Sequence, residues 1–214
     1  MPLEQVQVQI LNDVNQMMWM FAPWRWTINT FPNIPIVSST QDYEVIVPSD
    51  FLYIQESYIT NQAGDVPRTL HIEPWLPPGG KFGTQISRMA LVSGTPGNAG
   101  LVRFSPQPGN IPPNWEAITL YKRQAPVLQA SNINTSGVLV FDDEWFWVYV
   151  SGVLYFAYLF GDDQRAGSGQ VDPSTGKATF TGQRGVFEAN MQVMKQREKL
   201  PGMETAQPEQ KESM

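Results

Sequence analysis

Consecutive carboxylates are the first side chains in this sequence that could carry chemistry. Asp142, Asp143 and Glu144 follow one another, and such a group could hold a metal ion or supply a general acid. The alternative, which we favour, is that they begin a helix, where negative charge meets the positive end of the helix dipole. These residue types at this spacing therefore predict a helix start rather than a catalytic centre.

A second acidic group and the single histidine give weaker signals. Asp162 and Asp163 could bind a hard cation together with Asp172, but their spacing fits no EF-hand loop, so we predict a solvated loop. His71 lies in a predicted strand, and no Gly-x-Ser-x-Gly elbow accompanies it, which weighs against a small hydrolase. With one histidine and no cysteine, a zinc site is also disfavoured. We expect no catalytic, metal or cofactor site and no enzymatic activity.

Paired tryptophans offer a third kind of chemistry, the stacking of sugar rings. Trp24 with Trp26, and Trp75 with Trp115, are the candidate pairs. Burial in a core is the alternative that we favour, because tryptophan is a large core former. The pairs keep open a carbohydrate-binding or receptor-binding module as the second hypothesis for function.

The composition of the chain narrows the class of protein. The 214 residues carry a net charge of −6, and charged residues make up 16%, against roughly 25% in ordinary soluble domains. Lys and Arg are scattered, which disfavours nucleic-acid binding as the main task. We expect no signal peptide, since no cationic segment precedes an apolar one. The apolar run from Trp145 to Phe160 is 16 residues long, short of the ~20 that span a bilayer, so we predict a helix buried on most faces.

Periodicity then places the elements that must position these side chains. Apolar residues at spacings of three and four predict a helix over 3–22, ended by Pro23, and further helices over 141–160 and from Gly182 to Lys199. Between the last two helices, the stretch 161–181 is predicted as a long loop. Alternation and Pro/Gly breaks predict short strands from Trp24 to Ile28 and at Tyr43–Val47, Thr69–Ile72, Gln85–Val92, Leu101–Phe104 and Ala117–Arg123.

The predicted fold class is α+β, a three-helix bundle packed beside a small antiparallel β-barrel or sandwich, with an extended C-terminal tail. The helical bundle takes in residues 1–23 and 141–200, and the β domain over 24–140 is inserted between its helices. Residues 201–214 form a polar tail that has too few apolar side chains to fold alone.

Short motifs follow one another in a fixed order along the chain. They are Trp24–Trp26, Gln41–Phe51, Ser93–Pro96, Phe104–Pro108 and Ile118–Lys122, with Pro126, Leu128 and Ala157-Tyr158 further on. This order resembles the phage head-to-tail adaptor family, which includes the tail-tubular and head-completion proteins. In that family tryptophans follow the first helix, and a "tyrosine, hydrophobic, Leu-Pro-x-Asp-Phe" segment, a Gly-Thr-Pro turn, a "hydrophobic-x-Pro-x-Pro" turn and a last strand come after it. The chain departs from the family at Gly97–Gly100 and in its longer loop at Gly161–Thr181.

The resemblance implies a structural role in the neck of a virion, made in the host cytoplasm. The family forms a ring, commonly of twelve copies, that docks beneath the portal protein and presents a surface to the next tail or nozzle protein. DNA passes through the ring without sequence-specific binding, and no membrane is involved. A C-terminal extension of the family can reach into the portal. The candidate portal contacts here are Lys199, Leu200, Pro201, Gly202, Met203 and Glu204.

Overall fold

The computed structural model describes residues 3–61, 67–83, 85–109, 114–132, 139, 141–176 and 178–198. The chain divides into two compact units, Met1–Trp26 with Pro126–Met214, and Thr27–Ala125. Each unit has an apolar cluster of its own. We call them the helical unit and the β unit.

Three helices and a hairpin form the helical unit. They are α1 (Leu3–Phe21), α2 (Phe146–Phe160) and α3 (Gly182–Arg197). Both α1 and α3 pack against α2, and they approach it at Gly152, where Val14 and Phe187 leave no room for a side chain. The helix predicted over 3–22 is confirmed, and the other two helices are observed with shorter bounds.

Two local predictions in this unit are wrong. Residues Arg25–Thr27 form a 3₁₀ turn instead of a strand, because the Trp24 indole is buried and donates to the Met18 carbonyl, 2.5 Å away. The predicted loop over 161–181 contains a hairpin of β12 (Gly169–Val171) and β13 (Ala178–Phe180). Its turn is held by Asp172, whose carboxylate accepts from the backbone and hydroxyl of Ser174.

Within its described residues, the β unit contains eleven strands, most of them short. They are β1 (Ile28–Thr30), β2 (Ile34–Pro35), β3 (Asp42–Ile46), β4 (Phe51–Asn61), β5 (Arg68–Thr69), β6 (His71–Ile72), β7 (Phe82–Gly83), β8 (Arg88–Ser93), β9 (Ala99–Ser105), β10 (Gln107–Pro108) and β11 (Trp115–Arg123). One sheet has the order β1-β11-β4-β5, with β2 also on β11, and another has the order β3-β9-β8-β6. Alternation in β3 buries Tyr43 and Val45, as predicted.

The predicted fold class, a three-helix bundle beside a small antiparallel barrel or sandwich, is wrong. The structure is mixed α/β, with three helices and with strands in four mostly open sheets. Two pairings in the β unit, β6 with β8 and β7 with β10, are parallel. The physical reason is strand length, since edge strands of two residues between Pro/Gly loops offer too few backbone groups to close a sheet into a barrel.

Candidate interaction surface

The carboxylates predicted at the start of the second helix lie just ahead of it. Asp143–Trp145 is a 3₁₀ turn and α2 begins at Phe146, so the predicted helix start is confirmed, although its first turn is a 3₁₀ turn and not an α-helical one. The reason is that the Trp145 backbone N–H donates to the Asp142 carbonyl three residues back, which gives the tighter turn. Neither Asp142 nor Trp145 makes a side-chain cap to the turn or helix that follows it.

Folding brings two of these carboxylates to a third from the end of α3. Ligand oxygens of Asp142, Glu144 and Glu198 all lie within 4.8 Å of one another, and the Trp145 indole N–H donates to Glu198 Oε1 at 2.8 Å. The sequence did not point to Glu198, because it lies 54 residues after Glu144. The juxtaposition depends on α3 running back along α2.

An open pocket of about 510 Å³ surrounds this acidic cluster, and its wall also carries two arginines. The lining residues are Arg25, Trp26, Asp142, Glu144, Trp145, Arg197 and Glu198. Asp142 and Glu144 are exposed to solvent, and the neighbouring guanidinium groups can balance much of the carboxylate charge. The arrangement is that of a solvated, mixed-charge surface, and it does not by itself specify a metal ion.

The other predicted carboxylates are engaged separately, each in its own turn. The Asp163 carboxylate pairs with Arg165 at 2.6 Å, and this hydrogen bonding lowers the pKa of Asp163. Hydrogen bonds from Ser174 lower the pKa of Asp172 to about 2. Within the part of the chain that the structure describes, Asp162, Asp163 and Asp172 do not converge on one point.

His71 and the tryptophan pairs are also placed by the structure. The His71 imidazole is largely exposed on β6, and its carboxylate neighbour is Glu73, with 3.6 Å between Nε2 and Oε1. Trp24 is fully buried and stacks with Trp26, so this pair belongs to the core of the helical unit. Trp75 is 58% exposed.

Trp115 is partly buried, with the Arg68 guanidinium 5.6 Å from its ring. Its indole is therefore already occupied on one side within the β unit. Of the four tryptophans that were candidates for a sugar platform, Trp75 is the one that presents most of its side chain to solvent.

A buried lysine in the β unit was not predicted. Lys122 on β11 is 2% exposed, and its Nζ donates to Thr27 Oγ1 at 2.6 Å. Burial lowers the pKa of Lys122 from 10.5 to about 8. Burial of the charged ammonium therefore destabilises the folded state, and this penalty is smaller at pH values where the amine is neutral.

We expect the wild type to gain stability as pH rises from about 8 to 10.5, and Lys122→Met to lack this gain. Since burial lowers the folded pKa of Lys122 to about 8, the unfolded chain binds more protons in this window, and stability rises with pH wherever that is so. Urea titrations across the window measure both proteins. The exposed Lys81→Met is the control and should keep the gain; its loss there would contradict the assignment to Lys122.

The most distinctive surface in the helical unit is the outward face of α2. The helix contains no charged residue, and Phe146, Trp147, Val150 and Leu154 are 54%, 42%, 39% and 42% exposed. We call these four residues the apolar face. The prediction that this helix is buried on most faces thus holds for one side alone, on which Val148, Tyr149, Ser151, Gly152 and Tyr155 are buried.

A contiguous apolar patch on a folded protein usually marks a place where another surface binds.

Among the described residues, no helix is both long and apolar enough to span a membrane. The six candidate portal contacts, Lys199 to Glu204, lie outside the described residues. No protein-family model matches the chain, and no curated protein matches it.

Proposed function

We propose that this chain is a structural subunit of a tailed-phage particle, in the adaptor ring that joins the portal to the tail and continues the DNA channel. The observation that carries the proposal is the apolar face of α2, which leaves about half of several large side chains exposed. Exposed surface of this kind suits a protein whose work is assembly. The ordered motifs from Trp24 to Tyr158 indicate which assembly this is, because their order resembles that of the adaptor family.

The net negative charge agrees with a channel that does not bind DNA tightly. The net charge is −6, and a protein that neutralises many phosphates needs clustered Lys and Arg. A ring with few phosphate contacts would let DNA pass during ejection. The proposed partners are other copies of this chain, the portal protein and the next tail or nozzle protein.

Cryo-electron microscopy of the virion, or of the chain mixed with its portal protein, tests the proposal directly. We expect density at the portal–tail junction that accommodates the three helices and the open sheets of this chain. Junction density that the chain cannot fill would overturn the proposal.

The polar tail provides a separate test of docking. Truncation after Leu200 should leave the thermal unfolding transition unchanged and weaken portal binding, because a segment that orders on a partner contributes affinity without stabilising the free domain. Binding of both forms to immobilised portal can be compared by biolayer interferometry. A variant with residues 201–214 in scrambled order is the matched control. Equal portal binding by the full and truncated chains would exclude a docking role for the tail.

The exposed Trp75 favours a second candidate, the tail-associated carbohydrate- or receptor-binding module. A half-exposed indole can stack on a sugar ring, whereas the buried Trp24 cannot. Binding to a glycan array that is lost in Trp75→Ala and retained in Trp147→Ala would favour this alternative over the adaptor.

A further inference from the structure

We draw no further inference here: the strongest candidate, the exposed apolar face of α2, carries none because nothing in the described part of the structure shows what covers it.

Discussion

Gly152→Val is expected to lower the free energy of unfolding of the helical unit by about 3 kcal/mol. A Cβ at Gly152 would lie 2.7 Å from Val14 Cγ1 and 2.8 Å from Phe187 Cζ, so α1 and α3 would have to move away from α2. Val14 and Phe187 are fully buried, which leaves neither side chain space to retreat. Overpacking of a closed core costs about 1–3 kcal/mol, and valine adds a further penalty inside a helix.

The matched control for this variant is Ala157→Val on the same helix. Ala157 is exposed, so the same final residue there should change stability by about 0.5 kcal/mol at most, through helix propensity alone. Urea unfolding followed by circular dichroism measures both variants. An equal loss from the two would mean that the three helices do not meet at Gly152.

Asp42→Ala is expected to destabilise the β unit by about 2–3 kcal/mol. The Arg103 side chain is 8% exposed, and its Nε and Nη2 donate to both oxygens of Asp42 at 2.6 and 2.8 Å. Its Nη1 donates to the Leu76 carbonyl. Removal of the carboxylate leaves a buried cation, which typically costs 3–5 kcal/mol. We lower this figure because the Asp42 side chain is 37% exposed, so water can replace part of the lost interaction.

The pH dependence of this pair has a definite sign. The hydrogen bond from Arg103 lowers the pKa of Asp42. A depressed folded pKa means that the contribution of Asp42 is present above the unfolded value, about 4, and is lost as pH falls through the folded value. The gap in stability between wild type and Asp42→Ala should therefore narrow below pH ~4.

Asp163→Ala supplies the comparison for Asp42→Ala. The Asp163–Arg165 pair has the same 2.6 Å separation, but the Arg165 side chain is 69% exposed. Solvent screens such a surface pair, so a much smaller loss than that of Asp42→Ala is expected in urea unfolding. If the two variants lose equal stability, the burial of Arg103 does not explain the contribution of the Asp42–Arg103 pair to the free energy of unfolding.

Hydrogen bonding also fixes one end of the other sheet, which contains β4 and β11. Burial acts to raise the pKa of Asp50, but hydrogen bonds from Tyr121 and Arg123 outweigh it, and the net pKa is lowered. Burial, and then the hydrogen bond to Asp50, raise the pKa of Tyr121 to about 12. These side chains hold β11 against the turn before β4. The segment Pro48–Phe51 thus has a structural role in the β unit.

The sequence by itself determined the helices and the principal strands, because periodicity records which side of an element is buried. Spacings of three and four defined α1, and strict alternation defined β3. Local composition also marked Pro23 as the end of a helix. The sequence could not show that Arg25–Thr27 is a 3₁₀ turn, because the burial of Trp24 that causes it is a tertiary contact.

The tertiary structure alone decided how the sheets end and which surfaces stay open. A closed barrel requires strands long enough to pair at every edge, and pairings such as β6 with β8 are two residues long. The convergence of Asp142, Glu144 and Glu198 depends on the return of α3 along α2. A run of apolar residues in α2 predicts that the helix is buried, but hydropathy does not identify the part of the molecule that covers it. Folding of the single chain covers one side of α2 and leaves Trp147 and Leu154 exposed on the other.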